Sequence, residues 1–263
     1  MAKNGGLKLD IRRKQILDIL MKNNRVRVGQ LSDELSVSEV TIRNDLAELE
    51  KDGYLERVAG GAVLTRRNFN QLNFQRLKQD NADTKLRIAK LAASLIQDGE
   101  TLMINAGTTA FYVACELKQR SNLNIVTNSV PIAVELGSYP TFRMVLLGGD
   151  INTQFSFTHG VDALTQMDRY KADKVVLSVD GISPEAGLTT YHAEEAGVIR
   201  QMIARSDQCV VVADARRIGK ESVSNIGALN SVDILVTNAA DAREDVLADI
   251  RAMGVEICDG GLE

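Results

Sequence analysis

Tryptophan is absent from the 263 residues, and tyrosine and phenylalanine together supply only 4% of them. That scarcity argues against a surface that stacks single-stranded bases on aromatic rings. Cysteine occurs three times, as Cys115, Cys209 and Cys258, far apart and in no CxxC. Neither a disulfide framework nor a zinc site follows, and the three read as reduced core residues. His159 and His192 are the only histidines, without ligand spacing around either, so no metal is implied. No apolar run approaches the ~18 residues of a membrane span, and the opening MAKNGGLKLDIRRKQ carries charges but no apolar h-region. A cytoplasmic protein with no membrane partner is expected. The phosphate loop GxxxxGK[ST] and a strand-following GxGxxG are also missing, which leaves a P-loop enzyme without support.

What is present is ordinary for a soluble globular chain, with 44% hydrophobic and 25% charged residues. The length suggests a small and a larger domain. Residues 1–67 carry a net charge of +3 and the remainder −7, within an overall −4. A polyanion-binding head on an acidic body would show that asymmetry.

In the head, Ile11, Ile16, Leu17, Ile19 and Leu20 approach helical spacing, and Asn23-Asn24 ends that helix. Val28, Leu31 and Leu35 mark a second short helix. After Ser36-Val37-Ser38 a third carries Ile42, Leu46 and Leu49 on one face, which is helix-turn-helix spacing. Ser36 with Glu39 fits a capping box and Ser38 also suits an N-cap; Ser38 is favoured, because a start at Ser36 leaves hardly any turn after Leu35. Asp52-Gly53 stops the helix. YLERV and AVL then flank Ala59-Gly60-Gly61 as two strands of a wing, with Arg57, Arg66 and Arg67 placed to meet phosphates. A small helical subdomain with solvated charges is the plainer alternative.

On a helical wheel most acids of SVSEVTIRNDLAELEKDG flank the apolar stripe, leaving Val40, Asn44, Ala47 and Lys51 outward with Thr41 and Arg43 nearby. Such a face can enter a major groove. The pattern S-x-x-T-I-R-x-D-L, here Ser38, Thr41, Ile42, Arg43, Asp45 and Leu46, followed by Leu55, Gly60, Gly61 and Ala62, resembles the DNA-binding domain of DeoR-family bacterial repressors. The resemblance implies DNA contacts from Ser38, Glu39, Val40, Thr41, Arg43, Asn44, Lys51, Arg57, Gly60 and Gly61. Where many members carry two arginines this chain has Arg43-Asn44, and Asn can pair bidentately with adenine.

The polar run 68–84 reads as a linker. From residue 85 to 263, TLMIN, LNIVTN, FRMVLLGG, KVVLSVDG, QCVVVAD, VDILVTN and VEICDG alternate with helical patterns, which implies a parallel α/β sheet wrapped by helices. Ligands in such folds sit outside the carboxyl ends of the strands. Asn105-Ala106-Gly107-Thr108-Thr109 would gather backbone N–H groups and two hydroxyls there as a phosphate nest. Thr127-Asn128-Ser129, Gly148-Gly149, Asp180-Gly181 and Asp214 end other strands and could share that mouth, although strand-to-helix turns favour the same residues for backbone reasons.

NAGTT, VTNS, LLGGD, SVDGI, the helix from Glu195 and ADARRIGK are similar to the sugar-phosphate-binding domain of the same family, itself similar in fold to sugar-phosphate isomerases. That resemblance implies phosphate at Gly107, Thr108 and Thr109, and a sugar site lined by Asn128, Asp180, Gly181 and Glu195, with Thr127, Ser129, Gly148 and Gly149 beside it. It also places Arg76 and Lys85 where DNA and effector sites would couple. Asn105 replaces the family's usual acid, and Arg217 replaces a lysine. Arginine still binds phosphate but cannot lose a proton as a catalytic lysine could.

The expectation is a DNA-binding regulator, most simply a repressor, answering to a phosphorylated sugar. It needs no cofactor, metal or catalytic residue, and works as a homodimer or homotetramer because one recognition helix reads few base pairs of double-stranded operator DNA. The alternatives are a sugar-phosphate isomerase with an appended head, using Asp180 and Glu195 as acid and base, and a constitutive DNA-binding protein whose second half only oligomerises.

Overall fold

The computed structural model describes residues 11–64, Phe74 and residues 77–260, and the chain divides into two compact units, Met1–Arg76 and Leu77–Glu263. Arg66, Arg67, Arg76 and, of the expected linker, residues 68–73 and 75 lie outside the described residues.

The first unit runs α1 (Ile11–Asn23), β1 (Arg25–Arg27), α2 (Val28–Leu35), α3 (Glu39–Lys51), β2 (Glu56–Val58) and β3 (Gly61–Val63). Ile16, Leu17 and Leu20 of α1 meet Val28 and Leu31 of α2 and Ile42, Leu46 and Leu49 of α3 in one apolar cluster. Ile11 is 79% exposed, contrary to the expected stripe. It lies about 140° around the helix from Ile16 at 100° per residue, so it faces away. Ser36 takes a left-handed conformation and ends α2, while the Ser38 hydroxyl accepts the Thr41 N–H at 3.2 Å and starts α3. The wing has a third strand that sequence patterning missed: β3 pairs with both β1 and β2. Three residues are too few for alternation to stand out.

Asp45 is 3% exposed, and both Arg12 and Arg13 donate to its carboxylate, at 2.6 and 3.1 Å. Burial pushes its pKa up, but the two guanidiniums more than offset this and hold it below the ordinary 3.8. Asp45→Ala is therefore expected to cost about 2 kcal/mol at neutral pH, less than a fully buried pair because the arginines keep solvent contact. A group with a depressed folded pKa stabilises above its unfolded value and loses that contribution as pH falls. Urea denaturation should show the full deficit at pH 7 and a deficit that shrinks as pH falls below the ordinary 3.8; a deficit that stays constant with falling pH would rule out the ion pair as its source.

The second unit opens with α4 (Ala82–Ser94), β4 (Thr101–Ile104), α5 (Thr108–Glu116), β5 (Asn124–Thr127), α6 (Val130–Leu136) and β6 (Arg143–Leu146). It continues with β7 (Asp150–Asn152), β8 (Phe157–His159), α7 (Val161–Met167), β9 (Ala172–Ser178), β10 (Gly181–Ser183), β11 (Gly187–Thr190) and α8 (Ala193–Ala204). Then come β12 (Ser206–Val212), β13 (Ser224–Gly227), β14 (Ile234–Thr237), α9 (Glu244–Ala252) and β15 (Glu256–Asp259). α4 begins inside the expected linker, with Thr84 and Lys85 buried in its first turns. The helical pattern of LRIAKLAASLIQDG announces the body of this helix, but polar residues fill its first turn, where the Lys85 ammonium donates to the Leu77 carbonyl at 2.6 Å, so no apolar period marked its start.

The seven apolar runs become seven parallel strands in the order β15-β14-β12-β9-β4-β5-β6. Side chains such as Leu102, Met103, Ile104, Val175, Val176 and Val210 are fully buried, as strands covered on both faces require. The chain lays β4, β5 and β6 to one side and β9, β12, β14 and β15 to the other. The strand order thus reverses between β4 and β9.

Candidate DNA-binding face and effector site

On α3 the side chains split cleanly. Ile42, Asp45, Leu46 and Leu49 are buried, whereas Glu39, Val40, Arg43, Asn44, Glu48 and Lys51 are exposed, Val40 by 64%. Thr41 is half-buried, with its hydroxyl 2.9 Å from that of Ser38. Arg43 donates to Glu39 one turn earlier at 2.5 Å. The exposed surface is thus mostly polar, with Val40 apolar and the Arg43 charge paired with Glu39.

Arg57 does not project from the outer face of the wing. Cross-strand pairing puts Val26, Ala62 and Arg57 in one row, and paired residues share a face. Val26 and Ala62 are buried. Arg57 therefore turns toward α3, where its guanidinium donates to Glu50 at 2.7 Å and its backbone N–H donates at 2.8 Å. These bonds, the backbone one foremost, hold the Glu50 carboxyl below its ordinary pKa. Gly60 supplies the left-handed turn residue at φ +78°, and Gly61 permits close strand approach, since a Cβ there would stand 1.9 Å from the Val26 carbonyl oxygen.

In the second unit several of the residues expected at the strand ends meet at the β4/β9 reversal. Asn105 is fully buried; its side chain accepts the Ser178 N–H at 2.8 Å, donates to the Ser178 carbonyl at 3.0 Å and reaches Glu195 Oε1 at 3.4 Å. An aspartate could not make the two donations and would add a second negative charge beside Glu195. Gly107, the residue before α5, leaves no room for a side chain, because a Cβ would lie 2.5 Å from Ser178 Cβ. Asn128 accepts the Ala106 N–H at 3.1 Å and donates to the Thr158 carbonyl at 3.2 Å, tying β5 to the NAGTT loop. Thr108 is half-buried and Thr109 buried in the first turn of α5.

Glu195, near the start of α8, is almost wholly buried. Burial first and the Asp180 charge second push its pKa from 4.5 up to about 8, against the lowering effect of the Asn105 and Asn128 amides. Asp180 accepts from the Tyr191 N–H at 2.9 Å and pairs with Arg217 at 3.3 Å. Gly181 follows with the Lys220 carbonyl 2.5 Å from its would-be Cβ. Arg216 clamps the buried Asp214 with two side-chain bonds and also reaches Asp80 at 2.9 Å.

Other expected members serve the scaffold. The Thr127 hydroxyl donates to the Ile104 carbonyl and accepts the Ser129 N–H, and Ser129 caps α6. Gly148 donates to Gln166, and a Cβ on Gly149, at φ +131°, would lie 2.3 Å from the His159 carbonyl oxygen. Ser178 is the member not singled out beforehand; its only signal was a serine closing an otherwise apolar run. His192 lies 4.2 Å from the Phe155 ring and His159 5.8 Å from Phe157. Among the described residues no group of three His, Cys, Asp or Glu side chains could hold a metal, and no helix is long and apolar enough to cross a membrane.

Family models match both units: the DeoR-like helix-turn-helix domain over residues 12–68 and the DeoR C terminal sensor domain over residues 80–239. The chain is 33% identical over 227 residues to the HTH-type transcriptional regulator GolR of Listeria innocua, covering 86% of this chain and 89% of that one. It is 33% identical to the HTH-type transcriptional repressor GlcR of Bacillus subtilis, covering 85% and 86%. The glycerol-3-phosphate regulon repressor of Escherichia coli K12 shares 32%, covering 85% and 88%. Among solved structures, ribose 5-phosphate isomerase A from Methanocaldococcus jannaschii aligns over 52% of this chain and 54% of its own at 20% identity, with a TM-score of 0.37. With both of its units matched and relatives of this similarity spanning most of its length, the chain belongs to the DeoR family of helix-turn-helix transcriptional regulators.

Proposed function

We propose that this regulator is a cytoplasmic repressor of an operon for sugar or sugar-derivative metabolism, released from or driven onto its operator by a phosphorylated sugar. The observation that carries the effector half is the meeting of Asn105, Gly107, Asn128, Asp180 and Glu195 at the reversal of strand order, the place where open α/β sheets bind ligands. Backbone N–H groups of Gly107, Thr108 and Thr109 take the phosphate, and Asn128, Asp180 and Glu195 read sugar hydroxyls, with Arg217 supplying charge beside them. Two relatives are named as repressors, one of the glycerol-3-phosphate regulon, in support of that class.

For DNA, Val40 offers an apolar contact to a thymine methyl, Asn44 a bidentate partner for adenine, and Arg43, Thr41 and Lys51 contact the backbone or base edges. A homodimer or homotetramer supplies the second recognition helix. The site performs no catalysis in this reading: arginine stands where a catalytic lysine would be needed, and Asp180 is occupied by Arg217 and the Tyr191 N–H.

The test is a gel shift on DNA upstream of the chain's own gene with a panel of phosphorylated and unphosphorylated sugars. Retarded DNA is expected, with one phosphorylated sugar changing affinity by about 5–150-fold, the usual range of allosteric coupling. No retardation defeats the operator reading. Retardation that no phosphorylated sugar alters, with no rise in melting temperature at millimolar ligand, defeats the effector reading.

A further inference from the structure

Four of the six described arginines of the first unit are engaged by acids: Arg12 and Arg13 by Asp45, Arg43 by Glu39 and Arg57 by Glu50. Arg25 and Arg27 are different. Both are exposed, and among the described residues neither has an acidic partner. They flank the buried Val26 on β1, so strand alternation turns both to the face opposite the core.

Their position adds a second constraint. Arg27 pairs across the sheet with Gly61, and the next residue, Val28, donates its N–H to the carbonyl of Gly60 at 2.9 Å, which binds this stretch to the wing turn. Two residues further, a Cβ on Gly29 would lie 3.6 Å from the Glu39 carboxylate at the start of α3. Arg27 thus stands where the wing turn and the first turn of the recognition helix come together. When such a helix enters the major groove, the phosphates bordering the groove run past the elements that flank it.

We propose that Arg25 and Arg27 on β1 are a phosphate-gripping pair for double-stranded DNA, providing sequence-independent affinity that the internally paired Arg43 and Arg57 supply less well. Their guanidiniums need break no ion pair to bind, and they release counterions from the duplex when they do.

The full chain carrying Arg25→Gln and Arg27→Gln tests this on two probes: a random-sequence duplex, and a site enriched from a random library by the wild-type protein. Affinity is followed by fluorescence anisotropy from about 50 to 200 mM salt. The slope of log K against log salt should shrink by about 0.9 for each lost phosphate contact, with affinity falling by a similar factor on both probes. The double Arg→Lys variant, which keeps the charges, should restore most of the slope. An unchanged slope in a Gln variant that melts like wild type overturns the proposal. A loss confined to the enriched site also overturns it, because that pattern means base reading. Equal loss in the Gln and Lys variants overturns it too, since that points to local structure.

Discussion

Gly61→Ala is expected to unfold the DNA-binding unit while leaving the sensor unit intact. The new Cβ would stand 1.9 Å from the Val26 carbonyl oxygen, 3.0 Å from its carbon and 3.1 Å from Arg27 Cα. All three atoms are backbone of the neighbouring strand, so no flexible side chain can swing aside. Relief requires β1 and β3 to part, which breaks their ladder and opens buried Val26 and Ala62 to water. A clash of that kind belongs with the exceptional substitutions that cost more than about 4 kcal/mol, and a unit this small has little stability in reserve. Operator binding should vanish and the melting profile should lose the transition of the first unit. Gly60→Ala is the natural contrast: nothing lies within 4 Å of its would-be Cβ, and only the left-handed φ of +78° opposes it, at about 1–2 kcal/mol. A Gly61→Ala protein that melts and binds like wild type would refute the strand pairing.

Glu195→Gln is expected to stabilise the sensor unit at alkaline pH by a few kcal/mol. The carboxyl has an ordinary pKa of 4.5 and is pushed up to about 8 in the folded chain. Between those values the folded protein holds a proton that the unfolded chain has released. Its stability is therefore fully present below about pH 4.5 and is lost as pH rises toward 8, by at most ~1.4 kcal/mol per pH unit. Glutamine cannot ionise, and its amide oxygen still accepts from Asn105. The variant should lose this pH slope and melt several degrees above wild type near pH 8, at roughly 2–4 °C per kcal/mol for a unit of this size. Melting temperatures from pH 5 to 9 decide the matter, and wild type and variant curves that run parallel would show that Glu195 ionises normally. Glu195→Ala should behave differently, removing one of the acceptors of the Asn105 amide, which keeps its Ser178 bonds, and leaving a cavity beside it.

Much of this architecture was legible because the relevant signals are local. The seven sheet strands read as apolar runs since both sheet faces are covered, and α3 read as a recognition helix since Ile42, Leu46 and Leu49 keep helical spacing. The competing caps at Ser36 and Ser38 were told apart by the room a turn needs, and the geometry agrees with Ser38. What escaped depends on distant partners. Arg57 reads as a free wing cation until Glu50, seven residues away in sequence, is found beside it. Asp45 looks like one more surface acid until Arg12 and Arg13 arrive from α1. The contacts of Gly148 and Gly149 with Gln166 and His159 are set by distant segments, and Ser178 gains meaning only once Asn105 is known to clasp its backbone.

The division of α3 into a buried row and an exposed row carries an evolutionary consequence. Ile42, Leu46 and Leu49 hold the helix in place, while Val40, Asn44 and Lys51 make no contribution to the core. Duplicated copies of such a gene can therefore drift at the outer positions and acquire new operators one substitution at a time, with no folding defect to repair along the way. Paralogues that respond to different nutrients should differ at those positions while sharing the inner row.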